Sequence, residues 1–215
     1  MSEDAFAHCE NLVRAHDKDR YLASLFAPAQ RRPWLWALYA FDLEIARIKY
    51  LVKEPMAGLI RLQWWRDALA GLRAEEAAAH PVIRALFEAA RAAGVDVAPL
   101  AIAVEARQDE LQGEPPVVAA SAVFSFAARL LGAEDAAISA AADDAAKAVT
   151  LIDDPDQARS AYRVFRDRLT AVPDAALPAF LTVALVPLWL KQRAPPQWRR
   201  QIALAQAAWL GFPKL

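Results

Sequence analysis

Residues 37–55 read ALYAFDLEIARIKYLVKEP and set Asp42, Glu44, Arg47, Lys49, Lys53 and Glu54 among Leu, Ile, Val, Ala, Phe and Tyr. Carboxylates and cations at this density can hold a metal, run acid–base chemistry or form a solvated face, and their spacing separates these uses. Asp42 and Glu44 are two apart and leave a helix in different directions, so they cannot jointly ligate a cation or work as an acid–base couple. Glu44 and Arg47, three apart, can pair on one face for about 0.3 kcal/mol. The next candidate is GLIRLQWWRDALAGL, residues 58–72. Here Leu59, Leu62, Trp65, Leu69 and Leu72 form one apolar stripe, and Trp64, about 100° away, cannot share it. Arg61 precedes Trp65 by one turn and can stack on its ring, while Gln63 and Asp67 can hydrogen-bond. Core packing and a ligand or partner surface both stay open for the two indoles.

A third group is ISAAADDAAKAVTLIDDPDQ, residues 138–157. Between Glu134 and Asp156 there are seven acids against Lys147 alone. This reads as a solvated acidic face, with Pro155 ending a helix and scattering Asp153, Asp154 and Asp156. Cys9, His8, His16 and His80 lack zinc-ligand spacing, and one cysteine cannot form an internal disulfide, which suits a reducing compartment. No metal ligands and no catalytic residues are assigned.

The elements that must position these groups are helices. Gly is scarce at 6, the composition is 57% hydrophobic, and no run alternates with the period of a half-buried strand. The expectation is one all-α domain over residues 1–215. Ser2 can cap a first helix, and a short piece ends before Pro28. A long helix runs from Pro33 to about Val52, followed by pieces at 56–73, 81–93, 99–112, 119–131, 134–152 and 157–170, then a Pro-punctuated hairpin from about 174 to 210. On the long helix, Trp34, Leu38, Phe41, Ile45, Ile48 and Val52 form one stripe; Tyr39, Leu43, Ala46 and Tyr50 form a second, so burial on two sides is expected.

A formal net charge of −1 gives no field that would attract nucleic acid. The start, MSEDAFAHCENL, is acidic and carries neither a secretory nor a transit-peptide pattern, which predicts a cytoplasmic protein. The longest uncharged run, Ala175 to Leu190, is 16 residues with Pro178 and Pro187 inside it, shorter than the roughly 20 residues of a spanning helix. Residues 191–215 hold Lys191, Arg193, Arg199, Arg200 and Lys214 with no acid. With Trp198 and Trp209 beside them, peripheral contact with a membrane's inner face through Trp198, Arg199, Arg200 and Trp209 is expected.

DRYLASLFAP (19–28), RRPWLWALYAF (31–41) and IRLQWWRDAL (60–69) resemble the squalene/phytoene synthase family, closely over residues 17–72, loosely to about Gly132 and weakly beyond. The resemblance implies the all-α isoprenoid-synthase fold around a central cavity for two prenyl diphosphates. In active members the helix beginning ALYAF continues into an aspartate-rich motif that holds Mg²⁺ against the diphosphate; the matching positions here are Ala46, Arg47, Ile48, Lys49 and Tyr50. A second motif is expected after Leu130-Leu131-Gly132, where DDAAK (Asp143, Asp144, Lys147) breaks the pattern and lies early. The chain looks truncated after its middle relative to active members. YAFDLEIARIKYLVKEP with GLIRLQWWRDAL is similar to the phytoene-synthase-like branch that includes the mitochondrial complex I assembly factor, in which that motif is likewise degraded.

Three readings follow. The first is a catalytically degenerate homologue that assembles or scaffolds respiratory-complex subunits and needs no cofactor. The second is a prenyl transferase joining two prenyl diphosphates head to head, which would need Mg²⁺. The third is an isoprenoid or lipid carrier. Candidate ligand or partner contacts are Arg20, Tyr21, Arg47, Tyr50, Arg61, Gln63, Trp64 and Trp65. An open cavity, as against one filled by Trp64, Trp65 and Tyr50, would separate these readings.

Overall fold

The computed structural model describes residues 2–213, and among them every regular element is a helix. Lys214 and the side chain of Ser2, a cation and a cap in the sequence reading, lie outside the described residues. Helix α1 (Ser2–His16) meets α2 (Lys18–Ser24) at Asp17, which caps α2 by accepting the backbone N–H of Arg20 on Oδ1 at 2.9 Å. There follow α3 (Arg32–Leu51), α4 (Pro55–Leu69), α5 (Ala74–Ala79), α6 (Pro81–Ala93), α7 (Ala101–Glu110), α8 (Val117–Leu130), α9 (Ala136–Thr150) and α10 (Pro155–Arg168).

Proline sits in the first turn of α3, α4, α6 and α10, where its missing N–H leaves nothing unpaired and its fixed φ suits the helix. Pro155 therefore starts a helix and does not end one as expected; Asp154 caps it, accepting the backbone N–H of Gln157 at 3.1 Å. The helix expected over 56–73 stops at Leu69. Gly71 then turns the chain with φ +78°, and Leu72, expected on the core stripe, is 76% exposed. Helix α5 was not anticipated, because AEEAAA carries no apolar stripe.

The expected C-terminal hairpin is instead broken into α11 (Leu177–Phe180), a 3₁₀ segment (Leu181–Leu185), α12 (Val186–Lys191) and α13 (Gln197–Leu210). Pro178 and Pro187 each fall in the first turn of a new piece, since neither can continue the helix before it. In the 174–191 window 61% of residues are buried inside the protein, as an internal packing layer would be.

Helix α3 is the hub, packed by α1, α4, α6, α7 and α8. Leu38, Phe41, Ile45 and Ile48 are buried, each contributing about 2 kcal/mol of transfer free energy. The second face is buried at Tyr39 and half-buried at Leu43 and Ala46, so the two-sided burial holds until the last turn. There Tyr50 and Leu51 open to solvent. Layers α8, α9 and α10 pack in sequence beside the hub through alanines such as Ala127, Ala141 and Ala145, whose small side chains allow close approach.

Candidate functional site

Six charged side chains form a continuous alternating chain across the inner wall. Asp17 takes the Arg20 Nε–H on Oδ2 at 2.5 Å; Arg20 Nη1 donates to Asp42 Oδ2 at 2.7 Å; Arg107 Nη2 donates to Asp42 Oδ1 at 2.7 Å. Arg107 Nη1 then donates to Glu110 Oε2 at 2.6 Å, and Glu110 Oε1 accepts from Lys49 Nζ. Three acids alternate with three bases, so the chain is neutral and every carboxylate is engaged. Burial alone would raise the Asp42 carboxyl, but the guanidiniums of Arg20 and Arg107 outweigh it and hold it below the usual carboxylate range. Burial works against the charge of Arg107 and Lys49 too, and their acidic partners raise both above their ordinary values.

Beside this wall is a cavity of about 540 Å³, a size in the range of small-molecule sites, roughly 300–1,000 Å³. Asp17, Asp19, Arg20, Asp42 and Arg200 make its polar end, and Val123, Phe124, Val149 and Trp189 its apolar part. Trp64, Trp65 and Tyr50, the side chains expected to fill a cavity, do not line this one. Its two arginines are already paired, while Lys18 lines the same end: Arg200 donates to Asp19 Oδ2 at 2.5 Å and to Gln197 Oε1 at 2.6 Å, and Arg20 is held as above while lying 5.0 Å over the Tyr39 ring. Burial raises the Asp19 carboxyl, with Arg200 offsetting part of the effect; burial raises the Tyr39 phenol as well.

The positions at which the resemblance places the first aspartate motif do not fit a divalent cation. Arg47 pairs with Glu44 at 2.7 Å, Lys49 is spent on Glu110 and lies over the ring of the exposed Tyr50, and Ala46 offers nothing. Hard cations need several free carboxylate oxygens, and the neighbouring ones on Asp42 and Glu110 already accept from arginine and lysine. The later acids scatter also. Asp143 accepts from Ser121, Asp144 pairs with Arg168 at 2.6 Å, Asp153 with Arg193 at 2.6 Å, and Asp156 with Arg159 at 3.1 Å. Among the described residues no three His, Cys, Asp or Glu side chains converge on one point.

The candidate contacts divide between two places. Arg20 belongs to the cavity wall, and Tyr21 stacks on Trp36 at 5.9 Å and donates to Glu10 at 3.2 Å. On another side of α3, Arg47, Arg61, Trp64, Trp65 and His80 line a groove of about 330 Å³. Trp65 is the core member, edge-on to Phe41 at 5.6 Å; Trp64 meets it at right angles at 5.3 Å and donates from Nε1 to Glu76 at 2.7 Å. The stacking expected of Arg61 on Trp65 does not form, because Phe41, Trp64 and His80 already cover that ring and Arg61 stays in solvent. Gln63 does bond Asp67, at 2.7 Å, on the exposed side. Of the expected membrane contacts, Trp198, Arg199 and Trp209 face outward, whereas Arg200 turns inward to Asp19, because a buried carboxylate needs its charge.

Sequence reasoning missed Arg107, Glu110 and Asp19. An arginine among the alanines of α7 and the acid that opens DRYLASL were the available signals, but their partners lie far away in the chain.

The squalene/phytoene synthase family profile matches residues 13–153, more than half of the chain. Among curated proteins the chain is similar to those named NADH dehydrogenase (ubiquinone) complex I, assembly factor 6. It is 37% identical to the Bos taurus protein and 34% to the Homo sapiens protein, each over 84 residues that make 39% of this chain and 25% of the relative. The Drosophila melanogaster homolog is 35% identical over 63 residues, 29% of this chain and 19% of its own. The match thus spans about a quarter of the length of these relatives. No solved structure matches.

Proposed function

The chain belongs to the squalene/phytoene synthase family, and from that premise we propose that it keeps the family's helical scaffold without its metal-dependent chemistry. It works as an assembly or scaffold protein for a respiratory NADH dehydrogenase, on the cytoplasmic face of the membrane. One observation carries this reading. At the motif positions stand Arg47 and Lys49, and the carboxylates nearby are consumed by Arg20, Arg107 and Lys49. Likeness to proteins named as complex I assembly factors supports the same direction. The groove at Arg61, Trp64 and Trp65 supplies residue types that anchor interfaces.

Two measurements test it. Purified protein given Mg²⁺ and farnesyl or geranylgeranyl diphosphate forms no squalene- or phytoene-like product; metal-dependent turnover lost on replacing Asp143 and Asp144 overturns the reading. Deleting the gene lowers the amount of assembled NADH dehydrogenase on a native gel, and a copy carrying Trp64→Ala or Arg61→Ala fails to restore it. Unchanged enzyme levels with altered carotenoid, hopanoid or squalene content point to catalysis instead. The cavity favours a second reading, a carrier of an isoprenoid or other lipid. Native mass spectrometry of the purified protein tests that one, since a carrier retains a bound lipid.

A further inference from the structure

Helix α13 uses one side and leaves the other bare. Leu204 and Ala207 are buried against Ala23, Leu181 and Leu185. Facing away, Trp198, Ile202, Ala205 and Trp209 follow at steps of 4, 3 and 4, which keeps them within about 60° around the axis. Trp198 is 57% exposed, Ile202 49% and Trp209 81%, with Leu210 at 83% beside them. Shallow apolar grooves continue the patch on both flanks, one at Leu22, Leu25 and Phe26, the other at Pro187 and Leu188. Burial of these exposed apolar side chains is favourable, so a stripe of this kind calls for a covering phase.

The charges that its own segment carries have one sign. Residues 191–213 contain Lys191, Arg193, Arg199 and Arg200 and no acid. Arg200 points inward and Arg193 is paired with Asp153, while Arg199 has no ion-pair partner among the described residues and lies 5.4 Å over the Trp198 ring. An aqueous protein partner is registered by a rim of charges of both signs, whereas the exposed rim of this helix carries Gln201, Gln206 and Arg199 and no carboxylate. Indoles at both ends of an apolar helical face with cations at its edge match instead the headgroup zone of an anionic bilayer.

We propose that α13 is the membrane-docking element, lying in the plane of an anionic lipid surface. Trp198 and Trp209 sit among the headgroups, Ile202 and Leu210 enter the acyl boundary, and Arg199 and Lys191 contact lipid phosphates. This site is separate from the Trp64 groove and does not rest on the assembly reading. The test is co-sedimentation of the whole chain with phosphatidylcholine vesicles, with and without about 30% phosphatidylglycerol. Wild type binds the anionic vesicles preferentially and releases in high salt. The double variant W198A/W209A binds about tenfold more weakly or less, and Arg199→Glu loses the anionic preference, both keeping wild-type helix content. Equal binding to neutral and anionic vesicles, or undiminished binding by W198A/W209A, overturns the proposal. So does a solution dimer that the double variant dissociates while no vesicle is bound, since that outcome assigns the stripe to a second copy of the chain.

Discussion

Arg107 on α7 donates from Nη2 to Oδ1 of Asp42 on α3 at 2.7 Å, across 65 residues of chain, with both side chains about nine-tenths enclosed. Asp42→Ala takes one acidic partner from each of two enclosed guanidiniums, leaving Arg20 with Asp17 and Arg107 with Glu110, and destabilises the fold by about 3 kcal/mol in urea titrations. Glu44→Ala, which breaks only the pair with the half-exposed Arg47, costs under about 1 kcal/mol. Equal losses from the two substitutions would refute the buried chain.

Acid weakens the same link. The Asp42 carboxyl is held below its unfolded value of about 3.9, so its stabilisation is present above that pH and is lost as pH falls through the folded value. Asp19, raised by burial, acts with opposite sign: its contribution is full in acid and is lost as pH rises through its folded value. Stability measured from pH 6 downward falls steeply in wild type, and Asp42→Ala flattens that fall.

The adjacent indoles separate by substitution. Trp65→Ala opens a core cavity and costs about 3–5 kcal/mol. Trp64→Ala removes a partly exposed ring and one hydrogen bond to Glu76, for about 1–2 kcal/mol. Chemical denaturation checks the order, and the milder loss is what makes Trp64 usable for complementation.

Gly132 ends α8 with φ +84°, and a Cβ there would stand 3.0 Å from Arg31 Nη1. Gly94, at φ +71°, has open space. Both alanine variants carry the left-handed penalty of about 1 kcal/mol, and Gly132→Ala shows the larger drop in melting temperature.

Cys9 is buried, and its thiol is pushed up to about 12 by burial, with Glu44 adding to the rise. Ellman's reagent at pH 8 therefore leaves it unlabelled in the native protein and labels it once in denaturant. Rapid native labelling would place the thiol at the surface.

The hub helix could be read before folding because its apolar spacing is local, and the Pro81–Ala93 boundaries could be read because Pro and Gly mark both ends. The exposed indoles of α13 were legible for the same reason, as was the Glu44–Arg47 pair. Asp42 was legible only by exclusion: spacing showed that it cannot act with Glu44, and only the docking of α7 and α2 on α3 reveals that it accepts from two arginines. Arg200 looked like one more surface cation, since nothing near it in sequence announces Asp19. The last third was least legible, because Pro178 and Pro187 divide an uncharged run into pieces too short to show a period.

Asp19 and Arg200 meet across 181 residues, and this has a consequence for the order in which the molecule is made. Closing a loop of that length takes roughly 4–5 kcal/mol of chain entropy, which no single ion pair repays; the burial of Leu204 and Ala207 must accompany it. A polypeptide emerging from the ribosome can gather α1 to α8 around α3 early, through contacts nearer in sequence. The cavity then stands open on one side until α13 has been translated. A chain stalled before residue 197 leaves Ala23, Leu181 and Leu185 uncovered, and these are the apolar surfaces that chaperones and proteases recognise on unfinished proteins.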